Sequence, residues 1–296
     1  MSDFINQLES DAFTQNAFWQ DFCEAARIHG IAPEMLLRKE HALFYDHLDS
    51  TSTELMRRIG TSGMLCTADG ALSASGQEIH KLLVATAEQT AGRGRQGRSF
   101  YSPAGSGVYF SVAYVSRSGV SNPALFTATA AVGVCRALKM LYGIDCGIKW
   151  VNDIYMHGKK LCGILTEGMA NPANGKVEAA VIGIGINLHT NPNLPPELAQ
   201  KVGAVSEFSG IRCSRTKVLA FALCEILHIL DTAQNIMQEY KNLSLLIGAT
   251  VTVTPLAGGL PFVATVRAIS DDAGLVVQDQ NGIQSVLHSG EVTLHT

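Results

Sequence analysis

Three glycines and three arginines lie within the seven residues 92–98 of the segment AEQTAGRGRQGR, residues 87–98. Glycine lets backbone N–H groups approach an anion closely, and guanidinium groups bind phosphate or carboxylate through charge-assisted, often bidentate hydrogen bonds. Ordering seven backbone residues costs about 7 to 14 kcal/mol, and these seven offer no apolar side chain to a core. We therefore predict a loop that is mobile alone and ordered over a phosphate-bearing ligand. The alternative is a solvated basic surface loop.

The glycine spacing of this segment also matches the dinucleotide-binding pattern, with Gly92, Gly94 and Gly97 at the three positions. That pattern requires a helix directly after it and an acidic residue about 20 positions later. Here Ser102, Pro103 and an apolar run of strand type follow, and position 117 is an arginine. A Rossmann-type nucleotide site is therefore not expected.

A second polar cluster lies in KWVNDIYMHGKKLCGIL, residues 149–165. Asn152 and Asp153 follow a short apolar run, and Lys160 precedes another, so the side chains of opposite charge can surround one cleft. The alternative is an exposed hairpin with Lys159 and Lys160 both in solvent, as charged residues usually are. A third segment, GIGIN at residues 183–187, reads by itself as a core strand in which glycines permit close approach of a ligand or another backbone.

Apolar periodicity and turn residues predict the elements that must position these clusters. Predicted helices are one capped by Thr14 and ending at Gly30, a short one beginning at Pro33, one capped by Asp49, Ser50 or Ser52 and ending at Gly60, and two longer ones at residues 123–142 and 217–240. Predicted strands span residues 43–48, 81–87, 107–115, 147–150 and 177–188, with a surface loop at 69–76, a hairpin turn at 157–158 and a further turn at 171–175. Hairpins that alternate with isolated helices indicate an α+β fold, a mixed sheet packed with helices.

The β-rich runs after residue 242 are short and separated by turns, which predicts a small all-β barrel. We therefore predict three parts: a helical extension at 1–42, a central α+β domain at 43–242 and the small barrel at 243–296. The chain of 296 residues is 47% hydrophobic with a net charge of −4, so general affinity for nucleic acid or an anionic membrane is not expected. Its seven cysteines form no CxxC pair. Together with the absence of a signal-like amino terminus, this predicts a soluble cytoplasmic protein with reduced thiols and no metal site built from protein side chains.

The three clusters, in this order, resemble the biotin protein ligases. DSTSTEL (49–55) resembles the family's STN segment, EQTAGRGRQGR (88–98) its adenylate loop, KWVNDIY (149–155) with KKLCGIL (159–165) its KWPND and KLAGIL blocks, and GIGIN (183–187) its late glycine strand. The resemblance implies the ligase catalytic fold with a terminal SH3-like barrel. It also implies a reaction in which ATP, biotin and Mg²⁺ give biotinyl-5′-AMP, after which biotin passes to a lysine of a carboxyl-carrier domain.

The resemblance further implies which residues carry the reaction. The catalytic residues would be Lys160, Arg95 and Asp153. That Asp153 helps the carrier lysine to lose its proton is our own hypothesis, which rests on the presence of an acid in the cleft. Biotin would contact Ser50, Thr51, Ser52, Gln89, Gly92, Arg93, Gly94, Arg95, Lys160 and Gly163. The nucleotide would contact Arg95, Arg98, Phe100, Asn152 and Asn187.

Four positions depart from the family pattern. Ser52 stands for the usual Asn, Gln96 for a common Arg, Phe100 for a frequent Trp and Val151 for Pro. Some members carry an amino-terminal DNA-binding module and repress transcription, but residues 1–45 are acidic, with seven acids against three bases. We favour a ligase that does not bind DNA, with a homodimer through a sheet edge as one option. A lipoate-type ligase and a biotin-responsive repressor are the alternatives.

Overall fold

The computed structural model describes residues 13–171, 175–256 and 259–294. Nine α-helices lie in these ranges: α1 Gln15–Ile28, α2 Pro33–Leu36, α3 Thr51–Thr61, α4 Ala74–Ile79, α5 Pro123–Tyr142, α6 Pro196–Ala199, α7 Val205–Ser209, α8 Arg215–Asp231 and α9 Met237–Asn242. The twelve strands of the described ranges are β1 Ala42–Leu48, β2 Leu83–Gln89, β3 Gly107–Val115, β4 Gly147–Lys149, β5 Asp153–Met156, β6 Lys159–Ala170, β7 Val177–Asn187, β8 Thr250–Thr254, β9 Phe262–Ile269, β10 Leu275–Asp279, β11 Gln284–Leu287 and β12 Glu291–Leu294.

Seven strands form one mixed sheet in the order β1-β2-β3-β7-β6-β5-β4, in which β1 and β2 are parallel and the other neighbours antiparallel. The five strands β8 to β12 form a second, antiparallel sheet in the order β11-β10-β9-β8-β12. The predicted α+β class, with a mixed sheet packed against helices and a small terminal β unit, is confirmed. The predicted domain boundaries stay a prediction.

The two faces of the large sheet carry different layers because side chains alternate along each strand. On β3, Phe110 and Val112 belong to the core cluster that contains the buried faces of α1, α5 and α8. Ala113 and Val115 belong instead to a smaller cluster with α3. Helices α3 and α4 contact only part of this second face, so the surface above β5, β6 and the end of β7 is left for other segments to cover.

Helix α1 is part of the core. Thr14 caps it by accepting a hydrogen bond from the Ala17 N–H, and Phe18 and Phe22 are fully buried. Burial of each such ring contributes about 1.5 to 3 kcal/mol. Residues 1–12 of the predicted extension lie outside the described ranges, as do residues 172–174 of the predicted turn at 171–175.

Two predicted elements were wrong. The surface loop at 69–76 ends in α4, because the Ser73 hydroxyl accepts the Gly76 N–H and caps a helix there. The single helix at 217–240 is two helices, α8 and α9, with Ala233 at a φ of 50° between them. Helix α5 is long and apolar enough to cross a membrane, but 61% of its most apolar window is buried, as in the core helix of a globular domain.

Candidate active site

A cleft of about 460 Å³ lies on the sheet face that α3 and α4 leave uncovered. It is lined by the start of α3, the loop after β2, strands β4 to β7, residues 198–202 and the start of β12. All but two of the predicted site residues line it: Ser50, Thr51, Ser52, Gln89, Arg93, Gly94, Arg95, Arg98, Phe100, Asn152, Asp153, Lys160 and Gly163. The exceptions are Gly92 and Asn187.

One end of the cleft is built from hydroxyl groups. Ser50 caps α3 by accepting the Thr53 N–H, which leaves the next two residues at the floor of the cleft. The Thr51 hydroxyl lies 2.7 Å and the Ser52 hydroxyl 2.9 Å from the Ser111 hydroxyl of β3. Gln89 accepts the Thr51 N–H at 2.9 Å, which ties the end of β2 to α3. This end of the cleft is therefore a rigid, uncharged array of donors and acceptors.

The loop that crosses the cleft, residues 90–98 (hereafter the Gly-Arg loop), is held by backbone bonds. The Gly94 N–H donates to the Arg98 carbonyl at 2.7 Å, and the Phe100 N–H donates to the Gly92 carbonyl at 2.8 Å. A Cβ atom at Gly92 would lie 2.3 Å from the Phe100 carbonyl oxygen, so a side chain does not fit. Gly92 thus shapes the loop without lining the cleft.

Carboxylates from distant strands hold two arginines of the Gly-Arg loop. Arg93 donates two hydrogen bonds to Glu167 of β6, both 2.8 Å long. Arg98 pairs with Glu291 at the start of β12, and this hydrogen bond lowers the pKa of the Glu291 carboxyl group. The loop is therefore tied to both sheets.

Two cations lie at the centre of the cleft wall. Arg95 donates to the Asn152 side-chain oxygen at 3.1 Å, and burial lowers the pKa of its guanidinium group, which nevertheless stays charged. The Lys160 ammonium group lies 2.7 Å from an Asp153 carboxylate oxygen. The Asn152 amide in turn donates to the Ile164 carbonyl at 2.9 Å, which fixes the wall to β6. Charges of both signs meet here, as the sequence predicted.

Glycines on two paired strands make room for an aromatic ring. Gly163 of β6 lies opposite Gly185 of β7, and a Cβ atom at either position would come within 3.0 Å of the Phe100 ring. A Cβ atom at Gly183 would lie 2.4 Å from the Ser52 hydroxyl oxygen. The glycines of GIGIN therefore permit close approach of the protein's own side chains.

A second cleft of about 420 Å³ adjoins the first and contains Asn187. Phe100 and Lys160 line both clefts, and the Asn187 amide donates to the Lys160 carbonyl at 3.3 Å. The predicted nucleotide set is thus divided: Arg95, Arg98 and Asn152 face the first cleft and Asn187 the second. A ligand that contacts the whole set would have to span both.

Residues 69–187 match a family model described as the Biotin/lipoate A/B protein ligase family. The match spans strands β2 to β7 and the Gly-Arg loop. The chain is 29% identical over 320 residues to the "Bifunctional ligase/repressor BirA" of Bacillus subtilis. This alignment covers 99% of this chain and 94% of that protein. The chain is also 29% identical over 230 residues to the "Biotin--[acetyl-CoA-carboxylase] ligase" of Mycobacterium tuberculosis, covering 75% of this chain and 82% of that one.

Solved structures of biotin protein ligases share the fold. The biotin protein ligase of Aquifex aeolicus in complex with biotin and ATP superposes with a TM-score of 0.66 at 23% identity, over 86% of this chain and 98% of that one. The first cleft of this chain is lined by three of the four positions that depart from the resembled pattern and by the neighbours of the fourth. Ser52, Gln96 and Phe100 line the first cleft, while Val151 lies behind its wall and accepts a hydrogen bond from the Tyr240 hydroxyl at 2.9 Å.

Several residues that line the cleft, or bond to residues that line it, were not identified from the sequence. Ser111 lies inside an apolar strand, and only the alternation of side chains along β3 could have placed it on the cleft side. Glu167 and Glu291 bind loop arginines from positions far along the chain, for which no local signal exists. Tyr155 and Lys201 also line the cleft without having been predicted there, whereas Lys149 belonged to the predicted polar cluster but was given no role.

Proposed function

We propose that this chain is a biotin protein ligase, which joins biotin to AMP with ATP and then transfers biotin to a lysine of a biotin carboxyl carrier domain. One observation carries the proposal: a Gly-Arg loop closes over a cleft whose wall presents Arg95 and Lys160 beside an uncharged array of hydroxyls. The names of the relatives and the ligands of the Aquifex aeolicus enzyme agree with it.

In the first step, a carboxylate oxygen of biotin attacks the α-phosphorus of ATP and pyrophosphate leaves. Both reactants are anions that repel each other, so fixed cations must offset the repulsion and the charge that grows at phosphorus. Lys160 and Arg95 fill this role in the proposal, since both lie at the centre of the cleft wall. The rigid hydroxyl end with Ser50, Thr51, Ser52 and Gln89 suits the uncharged ring system of biotin.

The nucleoside would occupy the second cleft, with Asn187 as a polar contact and the Phe100 ring as an apolar face. The acyl-phosphate would then lie where the two clefts join, beside Lys160. Because the product is a mixed anhydride that water hydrolyses, the Gly-Arg loop must also exclude solvent. Arg93 would serve this closure through its contact with Glu167, and Gly94 through the bond from its N–H to the Arg98 carbonyl.

In the second step, the amine of a carrier lysine attacks the activated carbonyl and AMP leaves. The amine must lose a proton, and Asp153 is our candidate to accept it. Its carboxylate is paired with Lys160, so engagement of Lys160 by a phosphate would free it for the incoming amine.

Mg²⁺ is expected to arrive with the nucleotide and share the phosphate charge. Among the described residues no group of three or more His, Cys, Asp and Glu side chains could hold a metal ion. Mg²⁺ commonly takes one or two carboxylates together with substrate phosphates. Asp153 and Glu291, the carboxylates that line the first cleft in the described ranges, would supply them.

A DNA-binding role is disfavoured, although the Bacillus subtilis relative is named a ligase/repressor. Phe18, Phe22, Ala25 and Ala26 bury one side of α1 in the core of the large sheet, so this helix belongs to the catalytic unit. We propose a soluble, cytoplasmic enzyme without affinity for nucleic acid; a homodimer stays one option.

The decisive experiment incubates the protein with ATP, Mg²⁺ and either biotin or lipoate, and identifies the acyl-AMP by mass spectrometry. Biotinyl-AMP alone supports the proposal. Lipoyl-AMP alone would instead assign the chain to the lipoate branch of the family, and no adenylate with either acid would refute a ligase function.

A further inference from the structure

The first cleft is strongly basic in a chain that is acidic overall. Its described lining carries six cations against two carboxylates, whereas the whole chain has a net charge of −4. The six are Arg93, Arg95, Arg98, Lys149, Lys160 and Lys201. A concentration of one sign of charge in a concave site raises the local concentration of the opposite ion. The cleft is therefore suited to a multiply charged anion.

Three of these cations already have a carboxylate partner. Glu167 binds Arg93, Glu291 binds Arg98 and Asp153 binds Lys160. Arg95 has an amide partner in Asn152. In the part of the chain that the structure describes, Lys149 and Lys201 line the cleft with no carboxylate within ion-pair distance. Their positive charge is available to a ligand.

Lys149 is held in a fixed place on the wall. It lies directly opposite Asp153 in the β4–β5 pairing, so both side chains are on the cleft side of the sheet. Its ammonium group lies 5.8 Å from the centre of the Tyr155 ring, a cation–π contact that is weak compared with a full ionic partner. The next residue, Trp150, donates its indole N–H to the Ala273 carbonyl at 2.8 Å, which anchors the end of β4.

Lys201 lies on the other side of Lys160. The Lys160 N–H donates to the Lys201 carbonyl at 2.8 Å, and Lys160 forms a bridge with Val202. Lys149 of β4, Lys160 of β6 and Lys201 thus line the same cleft, with β5 between the first two. Among the described residues, Lys160 has a carboxylate at ion-pair distance and the two outer lysines have none. The unpaired charges flank the point at which the α-phosphate is expected.

We propose that Lys149 and Lys201 form a subsite for the pyrophosphate part of ATP, a role that rests on the proposed ligase function. In the adenylation step a carboxylate oxygen forms a bond to the α-phosphorus. The bond from the α-phosphorus to the bridging oxygen breaks, and its electron pair stays on that oxygen as pyrophosphate leaves. The charge on the leaving group rises as this bond breaks, so two cations without a carboxylate partner stabilise it most at that moment.

Lysine is suited to this place because its ammonium group is a compact, strongly hydrated charge on a flexible chain. Such a group can bind the leaving phosphates and still release them, whereas the planar arginines of the Gly-Arg loop are fixed by bidentate or backbone-supported contacts. The competing interpretation is that the two lysines attract an acidic surface of the carrier domain. The test below distinguishes the two.

The experiment compares the full-length protein with its Lys149→Ala, Lys201→Ala, Lys149→Arg and double-alanine variants. Lys139→Ala is the matched control, because Lys139 is an exposed lysine that pairs with Asp145 and does not line either cleft. Inorganic pyrophosphate binding is measured by calorimetry at fixed Mg²⁺ without biotin or ATP, and biotin binding separately. For each variant, kcat and KM are then measured with ATP and with the carrier domain as the varied substrate.

Loss of either lysine is expected to weaken pyrophosphate binding about tenfold, and loss of both about a hundredfold, which corresponds to about 1.4 and 2.8 kcal/mol. Biotin binding should stay within about twofold, since the lysines are remote from the hydroxyl end, and Lys149→Arg should keep most of the pyrophosphate affinity. Unchanged pyrophosphate binding, a rise confined to KM for the carrier domain, or an equal loss of biotin binding would each overturn the assignment. Because the pyrophosphate measurement needs no adenylation, a failure of the ligase function would appear separately, as absence of biotinyl-AMP from the unchanged protein.

Discussion

Replacement of Lys160 by alanine should nearly abolish adenylation. A unit charge about 4 Å from a phosphate charge contributes about 4 kcal/mol at an effective dielectric constant of about 20. Each 1.36 kcal/mol of barrier is a factor of about ten in rate, so the loss should be about a thousandfold. Lys159, the adjacent lysine, points to a different partner and pairs with Glu207. Lys159→Ala should therefore cost less than about fivefold, since an exposed ion pair contributes little.

The assay is a single-turnover measurement of biotinyl-AMP by mass spectrometry, with protein in excess over biotin. Lys160→Ala also leaves Asp153 without its cation, so the double variant Lys160→Met with Asp153→Asn serves as a control for the cost of an unpaired carboxylate. Thermal unfolding of each variant separates a loss of folded protein from a loss of chemistry. Equal losses for Lys159→Ala and Lys160→Ala, or a loss below tenfold for Lys160→Ala in folded protein, would refute the reasoning.

Three other predictions concern the loop, the wall and pH. Glu167→Gln removes the charge that binds Arg93, and an exposed bidentate pair contributes up to about 1 kcal/mol. Tryptic cleavage within residues 93–98 should therefore accelerate about fivefold. Unchanged cleavage would contradict a role of this ion pair in holding the Gly-Arg loop in place. Tyr240→Phe leaves the buried Val151 carbonyl without its donor and should lower the free energy of unfolding by about 1 to 3 kcal/mol in urea titrations. Burial lowers the pKa of His80 to about 4, so the unfolded state binds the proton at a higher pH than the folded state does. The free energy of unfolding, measured by urea titration, should therefore fall by about 3 kcal/mol as the pH is lowered from 6.5 to 4. His80→Gln should remove this contribution to the pH dependence.

Elements with strong local signals were predictable to the residue. Helix α5 begins after the Asn122 cap and ends at Gly143, which adopts the left-handed conformation that glycine favours. Strand β3 was equally clear, because its β-branched and aromatic residues are continuous. The break between α8 and α9 had no such signal, since no glycine or proline stands between them and the left-handed residue is Ala233.

The site was predictable where its chemistry is local in sequence. The Gly-Arg loop and Lys160 stand in short, unusual runs beside apolar segments, which allowed the sequence to indicate one shared cleft. Ser50 and Thr51 were named only through the family resemblance, and they line the same cleft. Ser111 was not found, because a single serine in an apolar strand has no distinguishing pattern. Glu167 was missed because ion-pair partners that meet only through strand order leave no trace in spacing.

The Gly-Arg loop was expected to need a bound anion to offset the cost of ordering its backbone. The chain itself supplies two anions, Glu167 for Arg93 and Glu291 for Arg98, and supports both with backbone bonds inside the loop. Ligand binding at this loop is then an exchange of partners, in which a phosphate competes with Glu291 for Arg98. The net gain from such an exchange is small, because one charge-assisted bond replaces another. The free energy that favours binding of a polyphosphate must therefore come mainly from the cleft cations that, in the part of the chain that the structure describes, have no carboxylate at ion-pair distance. These are Arg95, Lys149 and Lys201.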